Sequence, residues 1–247
     1  MLKLDNETKR RKLPNHIQEG LEPFCKYQIK SMIAVFTFLM LDLLIIMPLL
    51  FPVIKLVLYV TLPLMIFVSV WALWLLIRKP EKTEMESLLF LGCLGIVGSF
   101  CYFVLAMKYN YMVGITSPFF YIFMFFVYLI INYLFVRNEL KKYSSLERKP
   151  RKKTPAWHYT MATIAPAAGY ISIQYIMDIF SSLIVLSFMS IVFWGLSATY
   201  SFLLARAFHK YFFIKKNIHL VVFADKQLNQ KYKIKKEGFK FEQGTSK

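Results

Sequence analysis

The chain has 247 residues, of which 57% are hydrophobic, and its mean hydropathy of +0.47 is too high for an ordinary soluble domain. The net charge is +17, but the basic residues lie between and beside long apolar runs, so membrane topology explains them better than nucleic-acid binding. The three cysteines, Cys25, Cys93 and Cys101, fall in no predicted external loop, which excludes a disulfide framework.

Residues 1–30 form a basic segment that we expect to lie in the cytoplasm. Ile17, Leu21 and Phe24 follow one another at helical spacing, so residues 14–30 are predicted to form a short helix at the membrane interface. Pro23 works against a continuous helix in this stretch.

Six apolar stretches follow, each long enough to cross a hydrocarbon core of about 30 Å at about 1.5 Å per residue. They cover residues 31–50, 56–77, 88–107, 115–136, 157–177 and 182–205. The fifth is the weakest because Pro166, Gly169 and Gln174 interrupt it. A single helix over the fifth and sixth stretches would overshoot any bilayer, so we predict two spans and a tight turn. The predicted fold class is an all-α polytopic membrane protein, with a six-helix domain over residues 31–205.

The charges predict how the spans are oriented. If the N-terminus lies in the cytoplasm, the internal segments 1–30, 78–87, 137–156 and 206–247 hold 29 of the 31 Lys and Arg. Lys and Arg are concentrated on the cytoplasmic side of membrane proteins. We therefore expect both termini inside, in a plasma membrane whose anionic headgroups the basic segments contact.

The C-terminal tail, residues 206–247, contains short alternating stretches. Residues 231–235 and 239–241 alternate polar and apolar side chains around the turn-like pair Glu237-Gly238. This pattern predicts a small cytoplasmic β-hairpin, with the β-prone residues 218–223 as a candidate third strand.

Three polar residues lie inside predicted spans. Asp42 could serve as a proton or cation site, as a recognition point for a partner helix, or as a carboxyl that holds two helices together. The last role is favoured because no second acidic residue lies at matching depth. Asn132 and Gln174 are uncharged, and we expect them to form hydrogen bonds between helices.

Charged and small residues give three further groups. Three charged residues fall at external ends of spans; they are Lys55, Lys108 and Asp178. They form either an external charged cluster that meets a ligand or partner, or two snorkelling lysines and a solvated turn. Small residues at helix-packing spacing predict close helix contacts; they are Gly92, Gly95, Gly98, Ser99, Ala165 and Gly169. A cytoplasmic basic patch either binds anionic lipid or acts as a topology determinant; it comprises Arg148, Lys149, Arg151, Lys152 and Lys153.

Motifs for catalysis or cofactor binding are missing from the sequence. The four histidines, His16, His158, His209 and His219, are not spaced as metal ligands with another His, Cys or carboxylate. Neither a phosphate-binding glycine loop nor a membrane-protease motif occurs. We therefore expect no cofactor, no metal and no catalytic residues, and a protein that is not an enzyme.

In general character, this chain resembles small six-span proteins of low-GC Gram-positive bacteria. It is rich in Lys, Ile, Leu and Phe, and its predicted external loops are very short. The resemblance implies an immunity or accessory protein that is encoded beside a secreted antibacterial toxin. A type VII secretion substrate is an example of such a toxin. Another membrane or membrane-inserting protein would then be its partner. The alternative is the membrane-spanning permease subunit of an ATP-driven exporter; no residue of the chain separates the two.

Overall fold

The structure, a computed structural model, describes residues 4, 13–22, 26–79, 82–144 and 181–221. Throughout these residues the regular elements are helices. They are α1 (Asn15–Leu21), α2 (Lys26–Ala34), a π-helical segment (Val35–Leu43), α3 (Leu44–Leu50), α4 (Lys55–Ile77), α5 (Glu84–Met112), α6 (Pro118–Lys142), α7 (Ser182–Lys216) and a 3-10 turn (Ile218–Leu220).

Five helices are long and apolar enough to cross a membrane. The first span, Ile29–Leu50, runs through most of α2, the π segment and α3, and the other four are α4, α5, α6 and α7. These helices confirm the coarser prediction of a helical membrane protein. The predicted fifth stretch, residues 157–177, lies outside the described residues.

Helix α5 lies at the centre of the bundle and contacts the first span, α4 and α7. In its most apolar window 67% of the residues are buried, whereas the same measure is 0% for α6. Large apolar side chains cover the outward faces of α4 and α6, as expected of helices surrounded by lipid.

Contacts between helices define their directions. Ser197 of α7 lies beside Ser99 of α5, and Ser190 beside Ala106, so these two helices are antiparallel. Helix α6 follows α5 through a short turn and is also antiparallel to it. Helices α6 and α7 therefore run in the same direction, as the pairs Phe135–Phe202 and Tyr143–His209 show.

The ends of several helices differ from the predicted bounds. Helix α5 begins at Glu84 and ends at Met112 rather than covering 88–107, and α7 continues to Lys216 instead of ending at residue 205. An α-helix can continue beyond the hydrocarbon core of the membrane, because many polar residues also favour helix formation in water. Lys215 and Lys216 lie in the last turn of α7, where they complement the helix dipole.

The N-terminal segment also differs from its prediction. Instead of one interfacial helix over 14–30, α1 ends at Leu21 and a second helix begins at Lys26. Ile17 and Leu21 are fully buried in a cluster with Leu88 and Phe213, so they pack on the bundle rather than on lipid. Leu4 is held there by a hydrogen bond from its backbone N–H to Asn217 Oδ1 at 2.9 Å.

The C-terminal prediction is tested only where the described chain ends. Ile218–Leu220, which begins the candidate third strand, is a 3-10 turn. Residues 222–247, which include the predicted hairpin, lie outside the described residues.

Candidate functional site

The first span carries the most unusual backbone in the structure, the nine-residue π segment Val35–Leu43. A π-helix pairs each carbonyl with an amide five residues on, and such segments occur frequently at functional sites. Two carbonyl oxygens of this segment also accept a hydrogen bond from a tyrosine hydroxyl of another helix. Tyr200 Oη of α7 donates to Phe36 O at 2.5 Å, and Tyr102 Oη of α5 donates to Met40 O. The π segment is thus tied to both neighbouring helices.

The two tyrosines are held by the rings around them. Their own ring centroids are 5.4 Å apart, Phe193 stacks on Tyr102 at 6.1 Å, and Phe36 meets Tyr200 edge-on at 6.0 Å. Both side chains are almost completely buried. A phenol with an apolar ring and one hydroxyl suits this place, because the ring packs while the hydroxyl reaches the backbone.

Asp42 lies in the π segment and is half-buried between the first span and α4. Its Oδ2 accepts a hydrogen bond from Ser69 Oγ at 2.7 Å. Among the described residues Ser69 is the hydrogen-bond partner of this carboxyl. The pair bridges two helices, which is the geometry expected of a carboxyl that holds two helices together. It lies at the flank of the bundle rather than at its centre.

Lys108 is placed differently from an external charge. Its side chain is only 2% exposed, and its Nζ donates to Pro48 O at 2.5 Å and to Leu49 O at 3.3 Å. These carbonyls belong to the last turn of the first span, where backbone acceptors lack partners within the helix. The predicted external charged cluster therefore does not hold for Lys108. Lys55 is exposed at the start of α4, and Asp178 lies outside the described residues.

The predicted small-residue face of α5 packs against α7. A Cβ placed on Gly95 would stand 2.6 Å from the backbone of Leu204, and one on Gly92 would meet the ring of Phe208 at 2.9 Å. Ser99 O accepts a hydrogen bond from Ser197 Oγ at 2.8 Å. This face is consequently occupied within the chain. Ala165 and Gly169 lie outside the described residues.

Asn132 makes only a local hydrogen bond in the described part of the chain. Its Nδ2 donates to Tyr128 O, one turn earlier in α6, at 2.9 Å. Its Oδ1 is buried and finds no hydrogen-bond donor among the described residues. Gln174, also predicted to bond between helices, lies outside those residues, as does the basic patch that begins at Arg148.

Sequence inspection missed several polar contacts of α5 with its neighbours α6 and α7. Ser190 Oγ is 2.9 Å from Asn110 Oδ1 and 3.2 Å from Ala106 O, and both side chains are buried. Ser99 and Tyr128 share a hydrogen bond of 2.7 Å between α5 and α6. Serines at small-residue spacing in α7 were the signal that could have identified them.

The C-terminal ends of α6 and α7 form a second cluster. The Tyr143 ring stacks on His209 at 4.5 Å and packs against Phe213 and α1. Burial, aided by nearby Glu139, raises the pKa of the Tyr143 phenol. Beside it, an apolar groove of about 390 Å³ runs between Val136, Leu140 and Phe208.

The chemistry of this arrangement is that of helix association. In the described ranges no three His, Cys, Asp or Glu side chains come together as metal ligands would. Apart from the hydroxyl pair of Ser99 and Tyr128, the hydroxyls and the ammonium group named above donate to carbonyls or a carboxyl of neighbouring helices. Comparison with protein-family models, with curated proteins and with solved structures found no match.

Proposed function

We propose that this chain is a non-enzymatic, multi-pass protein of the bacterial plasma membrane that acts by binding another protein within the membrane. One observation carries the proposal. Five polar side chains inside the bundle donate to backbone carbonyls of adjacent helices; they are those of Tyr102, Tyr200, Lys108, Ser190 and Ser197. These five groups hold the helices together, so they do not line a path for a solute or activate a substrate.

Six spans with both termini in the cytoplasm complete this proposal. Helices α6 and α7 run in the same direction, so residue 144 and residue 181 stand at opposite ends of the bundle. A connection between them has to traverse the thickness of the membrane, and residues 157–177 are the apolar stretch in that interval. The distribution of Lys and Arg supports the cytoplasmic location of both ends.

An immunity or accessory role fits such a protein. The described turn between the first span and α4 covers only residues 51–54, and the one between α5 and α6 covers 113–117. Little of the chain therefore extends beyond the outer end of the bundle in these places. A toxin or subunit that inserts into the membrane would be met mainly by helix faces.

Extraction of the chain from its native membrane into polymer-bounded lipid discs, followed by mass measurement of the intact complex, tests this function. We expect the 29.1 kDa chain together with another membrane protein in fixed stoichiometry. Recovery of a stoichiometric ATPase would overturn the proposal in favour of an exporter subunit. If every detergent-free extraction yields the chain without another protein, partner binding itself would be overturned.

A further inference from the structure

Two polar side chains occupy equivalent places on the outer flank of the bundle. Asp42 precedes Ile46 by four residues, about one helical turn, and Ser69 lies about one turn from both Ile66 and Leu73. These three apolar side chains are 42%, 55% and 51% exposed respectively. We name this surface the Asp42 face; it consists of Asp42, Ile46, Ile66, Ser69 and Leu73.

The carboxyl on this face has unused capacity. A carboxylate offers about four acceptor positions, and within the described residues it receives one hydrogen bond, from Ser69. Asp42 is also only half-buried, in contrast to Lys108 and the two tyrosines, which are enclosed by protein. Ionisable groups at such depth face protein or water rather than lipid, because hydrocarbon offers them no donor.

We propose that the Asp42 face binds a transmembrane helix of the partner protein, and that this helix brings a Lys or Arg side chain to the carboxyl of Asp42. The inference rests on the proposed function and names the partner's chemistry. Charge complementarity carries it: between Lys30 and Arg78, Asp42 is the one charged residue apart from Lys55 at the start of α4. A cation supplies both the charge and the donors that the face lacks.

Two other occupants fit the face less well. A second copy of this chain, docked by two-fold symmetry, would bring one Asp42 carboxyl toward another, and like charges at short range oppose each other. A lipid acyl chain could cover the apolar residues but has no donor for the carboxyl. A partner helix covers the apolar residues and pairs with the carboxyl at the same time.

Photo-crosslinking in native membranes tests the inference with the full chain. A photoreactive side chain replaces Ile46 or Ile66 on the Asp42 face, and Ile130 or Ile191 on the outward faces of α6 and α7 as matched controls, which are 56% and 68% exposed. We expect the yield of protein adduct at the first two positions to exceed that at the controls by at least about tenfold. The Asp42→Leu variant should lower this yield by about the same factor. Thermal unfolding of the purified variant verifies that Asp42→Leu still folds.

Mapping of the adduct decides the chemistry. The crosslinked peptide should be a transmembrane segment with a Lys or Arg, and replacing that residue by Leu should remove the adduct. Exchange of the two charges, with Asp42→Lys and an Asp in the partner, should restore it. Adducts with a second copy, with residues 157–177 of the same chain or with lipid alone would overturn the inference.

The same experiment separates this inference from the proposed function. A partner adduct from the Asp42 face that is unaffected by Asp42→Leu contradicts the role of the carboxyl but leaves partner binding intact. A partner adduct only from Ile130 or Ile191 moves the interface elsewhere and also contradicts the inference. Absence of protein adducts from all four positions counts against both.

Discussion

The ring of Tyr200 lies so close to Gly98 that a Cβ on this glycine would stand 2.2 Å from Tyr200 Cδ1. Glycine at this position lets α7 approach α5 until the Tyr200 hydroxyl reaches Phe36 O in the π segment. The missing side chain at Gly98 of α5 thus allows the hydrogen bond between α7 and the first span.

Gly98→Ala should therefore destabilise the bundle. The new methyl group forces the Tyr200 ring to move, which we expect to cost about 1–3 kcal/mol in the free energy of unfolding. Unfolding in mixed detergent, followed by circular dichroism, measures this. Gly195→Ala in α7 is the control, because a Cβ there meets nothing within 4 Å, and it should cause no loss but a gain of up to about 1 kcal/mol, since Ala is favoured over Gly inside a helix. Equal losses in both variants would contradict the close contact.

Tyr200→Phe separates the hydroxyl from the ring. The ring still packs against Phe36 and Tyr102, so only the hydrogen bond to Phe36 O is lost. Hydrogen bonds of this kind within membranes contribute about 0.6 kcal/mol on average and up to about 1.7. The same unfolding measurement should thus give a smaller loss than Gly98→Ala gives. A loss larger than that of Gly98→Ala would contradict the modest contribution expected of this hydrogen bond.

Lys108→Met should lower stability more than its sequence position suggests. The change keeps a long apolar side chain but leaves Pro48 O and Leu49 O without the ammonium donor, and a hydrogen bond to a charged group is typically worth about 1.5–3 kcal/mol. Lys55→Met is the exposed control, which we expect to change stability by less than about 0.5 kcal/mol. If both lysines could be exchanged without loss, Lys108 would be a snorkelling residue after all.

The topology makes a separate prediction. Reporter fusions after residues 85, 150 and 240 should report the cytoplasm, and fusions near residues 53, 111 and 179 should report the outside. The reason is the distribution of Lys and Arg together with the parallel course of α6 and α7. A C-terminal fusion that reports the outside would exclude six spans.

Much of the membrane-spanning fold could be predicted from hydropathy alone, because a span needs only length and apolar character. The π segment could not: Val35–Leu43 has no local sequence signal that separates it from an ordinary α-helix. Tyr102 and Tyr200 reach its carbonyls only because of how three helices are rotated and spaced. That arrangement is a property of tertiary packing and cannot be read from periodicity within one helix.

The position of Lys108 illustrates a second limit. The sequence predicts a span that ends at residue 107, which would place Lys108 at the membrane surface. Helix α5 continues to Met112, which carries Lys108 alongside the end of the first span and buries it. For Asp42 the depth followed from the sequence, but its partner Ser69 did not, since that pairing depends on the relative rotation of two helices.

Proton flux into reconstituted vesicles, with the original chain and with Asp42→Asn, is the most direct test of the central claim that Asp42 binds a neighbouring helix rather than carries ions. The amide keeps a hydrogen bond with Ser69 Oγ but cannot exchange a proton with water. Under an imposed membrane potential, both proteins should acidify vesicles no faster than protein-free vesicles do. Acidification above that background by the original chain, abolished by Asp42→Asn in a protein that still folds, would contradict the claim and identify Asp42 as a proton-carrying group.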